Sequence, residues 1–336
     1  MITHHKELGL PLKANDKDQV PTVVFFSGFP DSWNSFEAVY PAFLETHHVI
    51  IVIMPHYDQS SMWWPFLGPS FESITASLLS ILSPAHSSGS PITLVGHDWG
   101  AYCVARFVHT HPTVVQKMIL LDVSTYPDKK HLPLTLCYQL VSVLSFVLSR
   151  IPLFGWILGL LPIALYPWKT IGPCPNEFNM PSKPLETKPF MCYPYFHLYI
   201  GTLLFRDFTN VSPKLVDSVP TLFLYGCCKR VFFHSPEFLR LLDARDDCDY
   251  VELNCGHWVS GHYERFREAR TQRKVAILNT ALIASQPRVQ YKRVPWAVVL
   301  GPWVRLAACP GLTVCQSTRL SMPPPGATVV FAALHF

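Results

Sequence analysis

Net charge is nearly missing from this chain: 27 Lys and Arg against 23 Asp and Glu leave +4 over 336 residues. A surplus this small and this scattered excludes the basic footprint that nucleic-acid binding needs. Paired CxxC spacings are lacking, so no zinc site is implied. His4, His5, His47 and His48 read as solvated surface residues rather than ligands, and no metal or other cofactor is expected. No secretory signal precedes the ten cysteines, because residues 1–19 are polar and mixed in charge. Reduced thiols in a cytoplasmic protein are expected in place of a disulfide framework. Residues 132–168 are very apolar, with Arg150 the only charge before Lys169. Residues 133–149 carry no charge over seventeen positions, which approaches spanning length, but Pro133, Pro152 and Pro162 interrupt the pattern. A cytoplasmic location is the expectation, with membrane contact through this segment or the C-terminal tail as the alternative.

What the chain does have is chemistry at the ends of apolar runs. Ile92-Thr93-Leu94-Val95 leads into Gly96-His97-Asp98-Trp99-Gly100. A glycine, a spacer, a nucleophile, a spacer and a glycine describe a sharp strand-to-helix turn that lifts the central side chain. The usual serine is replaced by aspartate. A carboxylate attacks a carbon bearing a leaving group and forms an alkyl ester, which water then cleaves. The plainer reading of Asp98 is a helix N-cap. Two further words weigh against it: Ser27-Gly28-Phe29-Pro30 after Val23-Val24-Phe25-Phe26, and Gly256-His257-Trp258 after Tyr250-Val251-Glu252-Leu253. Each sits where a buried strand ends, the place where open parallel sheets keep their sites.

Periodicity predicts strands at 23–26, 49–54, 92–95, 115–121, 221–225 and 250–253, with helices at 33–45, 71–82, 101–110 and within 261–284. Strands alternating with helices give an α/β protein with a mostly parallel, doubly wound sheet. About a hundred residues between Asp122 and Thr221 break the alternation, far beyond an ordinary connection.

From about Val20 to about Ala284 the chain resembles the α/β-hydrolase family, in its epoxide hydrolase and haloalkane dehalogenase branch, with a poorly matched middle. That resemblance rests on the oxyanion-loop word, Gly-His-Asp-Trp-Gly and the late Gly-His, in the order of that fold. It implies Asp98 as nucleophile and His257 as the base that activates water. It also implies the backbone N–H groups of Phe29 and Trp99 as oxyanion donors, with Pro30, Trp33 and Tyr193 as substrate contacts. The hundred-residue insertion becomes a helical cap over the site, whose apolar underside lines a lipophilic pocket. A plain helical hairpin and a membrane-touching segment are the alternatives. The expected organisation is a core at 1–124, a cap at 125–213, a second core segment at 214–284 and an atypical apolar, Pro-rich tail at 285–336. Ser27 departs from the family, which usually has histidine there to support the loop.

Opening an epoxide requires a donor to the ring oxygen, and the resemblance implies a pair of cap tyrosines, since a phenol is neutral at pH 7 yet able to donate. Tyr195 is favoured, then Tyr199, with Tyr138 and Tyr166 as candidates for the second donor. A dehalogenase needs a halide donor instead. The loop has no Asn beside Pro30, and the cap offers Trp156 and Trp168. The tyrosines tip the balance toward epoxides.

The acid that should orient His257 is missing from its usual place, because 227–231 reads Cys-Cys-Lys-Arg-Val. Asp122, after Met118-Ile119-Leu120-Leu121, stands at the branch's second location and is the working candidate. Asp243, Asp246, Asp247 and Asp249 come later than that loop. The strands that usually precede the oxyanion loop are expected to be missing. Three functions stay open: a hydrolase of lipophilic epoxides, a haloalkane dehalogenase-type hydrolase, and a hydrolase-fold binding protein without turnover. Each takes a small lipophilic partner, and the first two need water.

Overall fold

Seven short strands order themselves by which residues tolerate burial on both faces. The computed structural model describes residues 4–12, 20–57, 66–165, 187–201, 203, 218–229 and 231–261. These belong to one unit, Met1–Pro287; a second, Arg288–Phe336, lies outside the described residues. The closing helix expected within 261–284, the tail at 285–336, and Tyr166 and Trp168 also lie outside them.

The strands are β1 (His4–Gly9), β2 (Thr22–Phe26), β3 (His48–Ile53), β4 (Ile92–His97), β5 (Lys117–Leu121), β6 (Thr221–Gly226) and β7 (Asp249–Leu253). They form one sheet in the order β1-β3-β2-β4-β5-β6-β7. All pairs are parallel except β1 with β3. The strands β2, β3, β4 and β6 are buried throughout. That is why they read as continuous Val, Ile and Phe runs rather than alternating ones. Side chains still divide by a period of two: Val24 and Phe26 enter the core on one face, Val23 and Phe25 that on the other.

The presence of β1 corrects the expectation that the first strands are missing. Ahead of β2 the described residues hold β1, which pairs antiparallel along the whole of β3, from His4 with Ile53 to Gly9 with His48. Its His-His-Lys-Glu-Leu-Gly sequence hid it. A strand with a single neighbour needs no apolar run, and charges at Lys6 and Glu7 blunt a sheet edge. His47 and His48, expected on the surface, are buried beside it. The His48 imidazole reaches the Leu10 carbonyl at 3.0 Å, and burial lowers the His47 pKa to about 4.

Around the sheet lie α1 (Phe71–Ser87), α2 (Trp99–Thr110), α3 (Leu132–Leu148), α4 (Gly155–Leu165), a single turn α5 (Tyr193–Phe196) and α6 (Pro236–Asp243). Ser70 caps α1 by accepting from the Ser73 N–H at 3.2 Å, and Ser235 caps α6 likewise. The helix expected at 33–45 is instead two 3-10 turns, Trp33–Phe36 and Tyr40–Phe43. Pro41 sits at the start of the second and brings no N–H to an α-ladder. The apolar spacing holds nonetheless, because Phe36 and Val39 are buried and Tyr40 and Phe43 pack on the same core.

Within the segment expected as a cap, α3 and α4 pack as a helical hairpin, and α3 also packs on α5, which runs into a π-helical turn, His197–Gly201. Pro133 falls in the first turn of α3, and Pro152 in the link between the helices. Pro162 sits inside α4. The expected apolar underside is reversed in part. On α3 the buried face carries Thr135, Tyr138, Ser142, Val143, Ser145 and Phe146, whereas Leu140, Leu144 and Val147 point outward. Among the described residues no helix is long and apolar enough to cross a membrane.

Candidate active site

Strand order explains where the chemistry gathers. The connections leaving β2 run to β3 on one side, while β4 lies on its other side. The carboxyl ends of β2 and β4 therefore flank the point where the winding reverses. Phe26 pairs with Gly96, so the oxyanion loop and the elbow begin side by side. His97 pairs with Leu121 and Gly226 with Leu253, which sets the ends of β5, β6 and β7 in the same row.

Asp98 has φ +53° and ψ −121°, a conformation costly to a residue with a Cβ, by about 1–3 kcal/mol. Glycine on either side makes the turn feasible. A Cβ at Gly96 would lie 2.6 Å from the Ala101 Cα, and one at Gly100 only 2.1 Å from the Phe26 carbonyl oxygen. The Asp98 carboxylate accepts the Phe29 N–H on Oδ2 at 2.8 Å, and its Oδ1 lies 3.5 Å from His257 Nε2. Trp99 opens α2, so its N–H has no partner in the helix ladder, and it abuts Gly28. Burial pushes the Asp98 pKa up, but the hydrogen bond and charge of His257, the charge of His97 and the Phe29 N–H together hold it below the usual range.

His257 Nδ1 donates to Asp122 Oδ2 at 2.5 Å. Asp122 is fully buried, has φ +67°, and takes on its other oxygen the Gly226 N–H at 3.0 Å and the Lys229 ammonium. Burial alone would lower the His257 pKa. Hydrogen bonds to Asp122 and Asp98, then their charges, raise it to about 10. Asp122 itself is pushed up by burial and more than restored by Lys229 and His257. Lys229 is the residue that sequence reasoning missed. Its loop holds a cation where the resemblance implies an acid, and that cation pairs with Asp122.

A second constellation, also unforeseen, ties the three loops together. The fully buried Asp31 accepts from His97 on Oδ2 at 2.9 Å and from the Trp258 indole N–H on Oδ1 at 3.0 Å. His97 Nε2 meets the His257 carbonyl at 3.0 Å. The elbow's own spacer and the residue after the Phe29-Pro30 cis peptide thus hold the histidine loop. Polar residues at the spacer positions of the motifs were the available signal.

A cavity of about 440 Å³ opens over Asp98 and Trp99. Its apolar walls include Val123, Leu132, Leu198, Phe232 and Phe233. Tyr138, Tyr199 and Gln139 bring polar atoms into it, and Tyr199 donates to Gln139. The Tyr138 and Tyr195 hydroxyls stand within hydrogen-bonding reach of each other, and both feel the Asp98 charge. The Tyr195 ring packs edge-on against Trp99 at 4.9 Å and against Tyr138 at 5.7 Å. Burial keeps both phenols well above their ordinary pKa, so they remain neutral donors.

Asp98, His257, Asp122, Trp99, Phe29, Tyr195 and Tyr199 are therefore brought together. Tyr193 is not. It is buried behind the cavity against Tyr57 and Gly68. Pro30 serves the loop through its cis peptide and is absent from the cavity wall. The Trp33 side chain lies outside the described residues, and Trp156 is 63% exposed away from the cavity. Ser27 is buried, with no partner for its hydroxyl among the described residues.

Comparison with known proteins agrees with this architecture. A family profile described as the alpha/beta hydrolase fold matches residues 21–152. The soluble epoxide hydrolase of Corynebacterium sp. (strain C12) is 24% identical over 123 residues, 36% of this chain and 42% of that protein. The match thus spans less than half the length of that relative. Among solved structures, a haloalkane dehalogenase variant from Bradyrhizobium elkanii superposes with a TM-score of 0.55 at 17% identity, over 84% of this chain and 94% of the other. The Cif epoxide hydrolase from Acinetobacter nosocomialis does so at 0.52 and 17%, over 80% and 84%. MenH from S. aureus gives 0.54 and 18%, over 84% and 99%. The chain has the α/β-hydrolase fold, and its likeness to these structures extends to the fold alone.

Proposed function

We propose that this protein is a hydrolase that opens lipophilic epoxides through an alkyl ester on Asp98. The observation that carries the reading is a carboxylate at the elbow beside His257, in a largely apolar cavity whose wall includes Tyr138, with the buried Tyr195 hydroxyl in hydrogen-bonding reach of Tyr138 and both phenols feeling the Asp98 charge. Asp98 Oδ1 attacks the ring carbon, the C–O bond breaks, and the ring oxygen takes a proton from a tyrosine hydroxyl. Water then adds to Asp98 Cγ while His257 takes its proton. The oxyanion forms at Oδ2, where the Phe29 N–H already points, with the Trp99 N–H beside it. Collapse expels the diol oxygen, which takes the proton held by His257, and the proton left on the Asp98 carboxyl passes to the freed imidazole, restoring the carboxylate and the imidazolium of the free protein.

His257 changes role within this cycle. In the free protein it lies between two carboxylates and holds its proton firmly. Ester formation removes the Asp98 charge, so its pKa falls, its proton passes through solvent to the tyrosinate left by ring opening, and the neutral base becomes available when water must be activated. A dehalogenase reading draws less support, since Trp156 is remote from the cavity. The reading as a binding protein without turnover draws on the acid-free 227–231 loop and on missing first strands, whereas Asp122 contacts His257 directly and β1 is present.

Assay of aryl and alkyl epoxides beside chloroalkanes tests the proposal: diol without halide release is expected. Halide release without diol would overturn it. Tyr138→Phe and Tyr195→Phe should each lower diol turnover by about 10²-fold, the usual worth of a positioned acid, and the double variant should approach complete loss. Steady-state kinetics on the three variants checks this.

A further inference from the structure

The loop after β6 carries a cation where an acid was sought, and that cation touches the acid that does the work. The Lys229 side chain is 1% exposed, and its ammonium pairs with Asp122 Oδ1. It also lies 5.6 Å and 5.2 Å from the Phe232 and Phe233 ring centroids, within cation–π range. A buried ammonium without an anion would be strongly unfavourable, so Lys229 in this loop is compatible only with a carboxylate opposite it. The carboxylate is divided. Oδ1 is occupied by Lys229 and the Gly226 N–H, and Oδ2 is left for His257 alone.

We propose that Lys229 is a positioning residue of the catalytic set: it clamps Asp122 by one oxygen so that the other is aimed at His257, and its charge tempers the pull of Asp122 on the His257 proton. The kinetic part of this rests on the epoxide reading above; the part concerning His257 titration does not. The charged and titratable neighbours are few. His257 faces Asp122 at 2.5 Å, Asp98 at 3.5 Å and the His97 ring at 4.8 Å. On the Lys229 side stand Asp122 and His234, the latter feeling the charges of Lys229, Asp122 and Asp128.

The sign follows. Removing the ammonium leaves Asp122 a stronger attractor for the proton on His257. In Lys229→Met the His257 titration midpoint, read from its imidazole resonances against pH in the free protein, should move upward by about one unit. The acid limb of ester hydrolysis, followed in single turnover, should move the same way. The rate at neutral pH would then fall about tenfold, with KM little changed. Lys229→Arg keeps the charge and should restore both. Should Lys229→Met fail to fold, Lys229→Gln removes the charge while keeping a donor and is read identically. Unmoved titration and an unmoved limb in a folded neutral variant would overturn the proposal. So would failure of both neutral variants to fold while Lys229→Arg folds with unchanged properties, which would leave the pair a matter of stability alone. If no epoxide is turned over but the titration moves as stated, it is the epoxide reading that fails and the clamp that stands.

Discussion

Replacing His257 with glutamine should stop the reaction halfway. On the proposed route, alkylation of Asp98 uses the carboxylate and the tyrosine pair, and hydrolysis of the resulting ester uses the histidine as base. The variant exposed to a lipophilic epoxide should gain the mass of one substrate molecule on the peptide containing Asp98. Its steady-state turnover should fall by about 10³-fold, within the range attributed to a positioned base. Intact-protein mass spectrometry reads the adduct, and peptide mapping places it. The order of events matters for the expectation. His257 Nε2 lies 3.5 Å from Asp98 Oδ1, close enough to stabilise the nucleophile's charge, so alkylation in His257→Gln should also slow, though less than hydrolysis. Folded His257→Gln that acquires no adduct while wild type turns over would contradict a covalent route.

Asp122→Asn should combine a catalytic and a structural loss. An amide opposite His257 Nδ1 no longer fixes the tautomer or stabilises the imidazolium, a change that in the serine-protease triad lowers kcat by about 10⁴. The same substitution strands the Lys229 ammonium, whose side chain is 1% exposed against an Asp122 that is 0% exposed. Breaking a buried pair from one side costs about 3–5 kcal/mol, so thermal or urea unfolding should report a marked loss of stability. The pH dependence carries a further signature. The His257 pKa is raised in the folded protein, so its contribution to stability is complete below the ordinary imidazole value of 6.5 and is lost as pH rises toward about 10. Those of Asp98 and Asp122 are lowered, so their contributions are present above the ordinary carboxyl value of 3.8 and are lost as pH falls below it. Asp122→Asn removes one contribution outright and weakens the His257 one. Its stability should therefore vary less with pH than wild type on both the acid and the alkaline side.

These expectations trace which parts of the molecule were legible from residues alone. The three loop words were readable because each needs specific chemistry at a strand end, and because buried parallel strands announce themselves as unbroken apolar runs. Asp122 was readable as a candidate but not distinguishable from a turn cap. Only the adjacency of β4, β5, β6 and β7 puts its carboxylate beside His257. Lys229 looked like a defect because its meaning depends on a residue 107 positions earlier. The Asp31–His97–Trp258 constellation was invisible for the same reason: its three members lie on three separate loops. Between β5 and β6, composition marked an apolar segment but not its orientation. Thr135, Tyr138 and Gln139 turn into the cavity, while bulkier aliphatics of the same helix face outward. Helix α6 was overlooked because it is eight residues long and its mean character is polar, with Phe238 and Leu242 alone fully buried on one side.

The central claim is that Asp98 is the nucleophile and that water attacks its carbonyl carbon rather than the substrate. A single turnover in ¹⁸O-water, with enzyme in excess over epoxide, tests this most directly. The account predicts a diol that carries only ordinary oxygen and an Asp98 peptide that gains one ¹⁸O atom, because the oxygen delivered to the substrate comes from the carboxylate. Diol labelled in that first turnover, with Asp98 unlabelled, would mean direct attack by water and would contradict the ester mechanism.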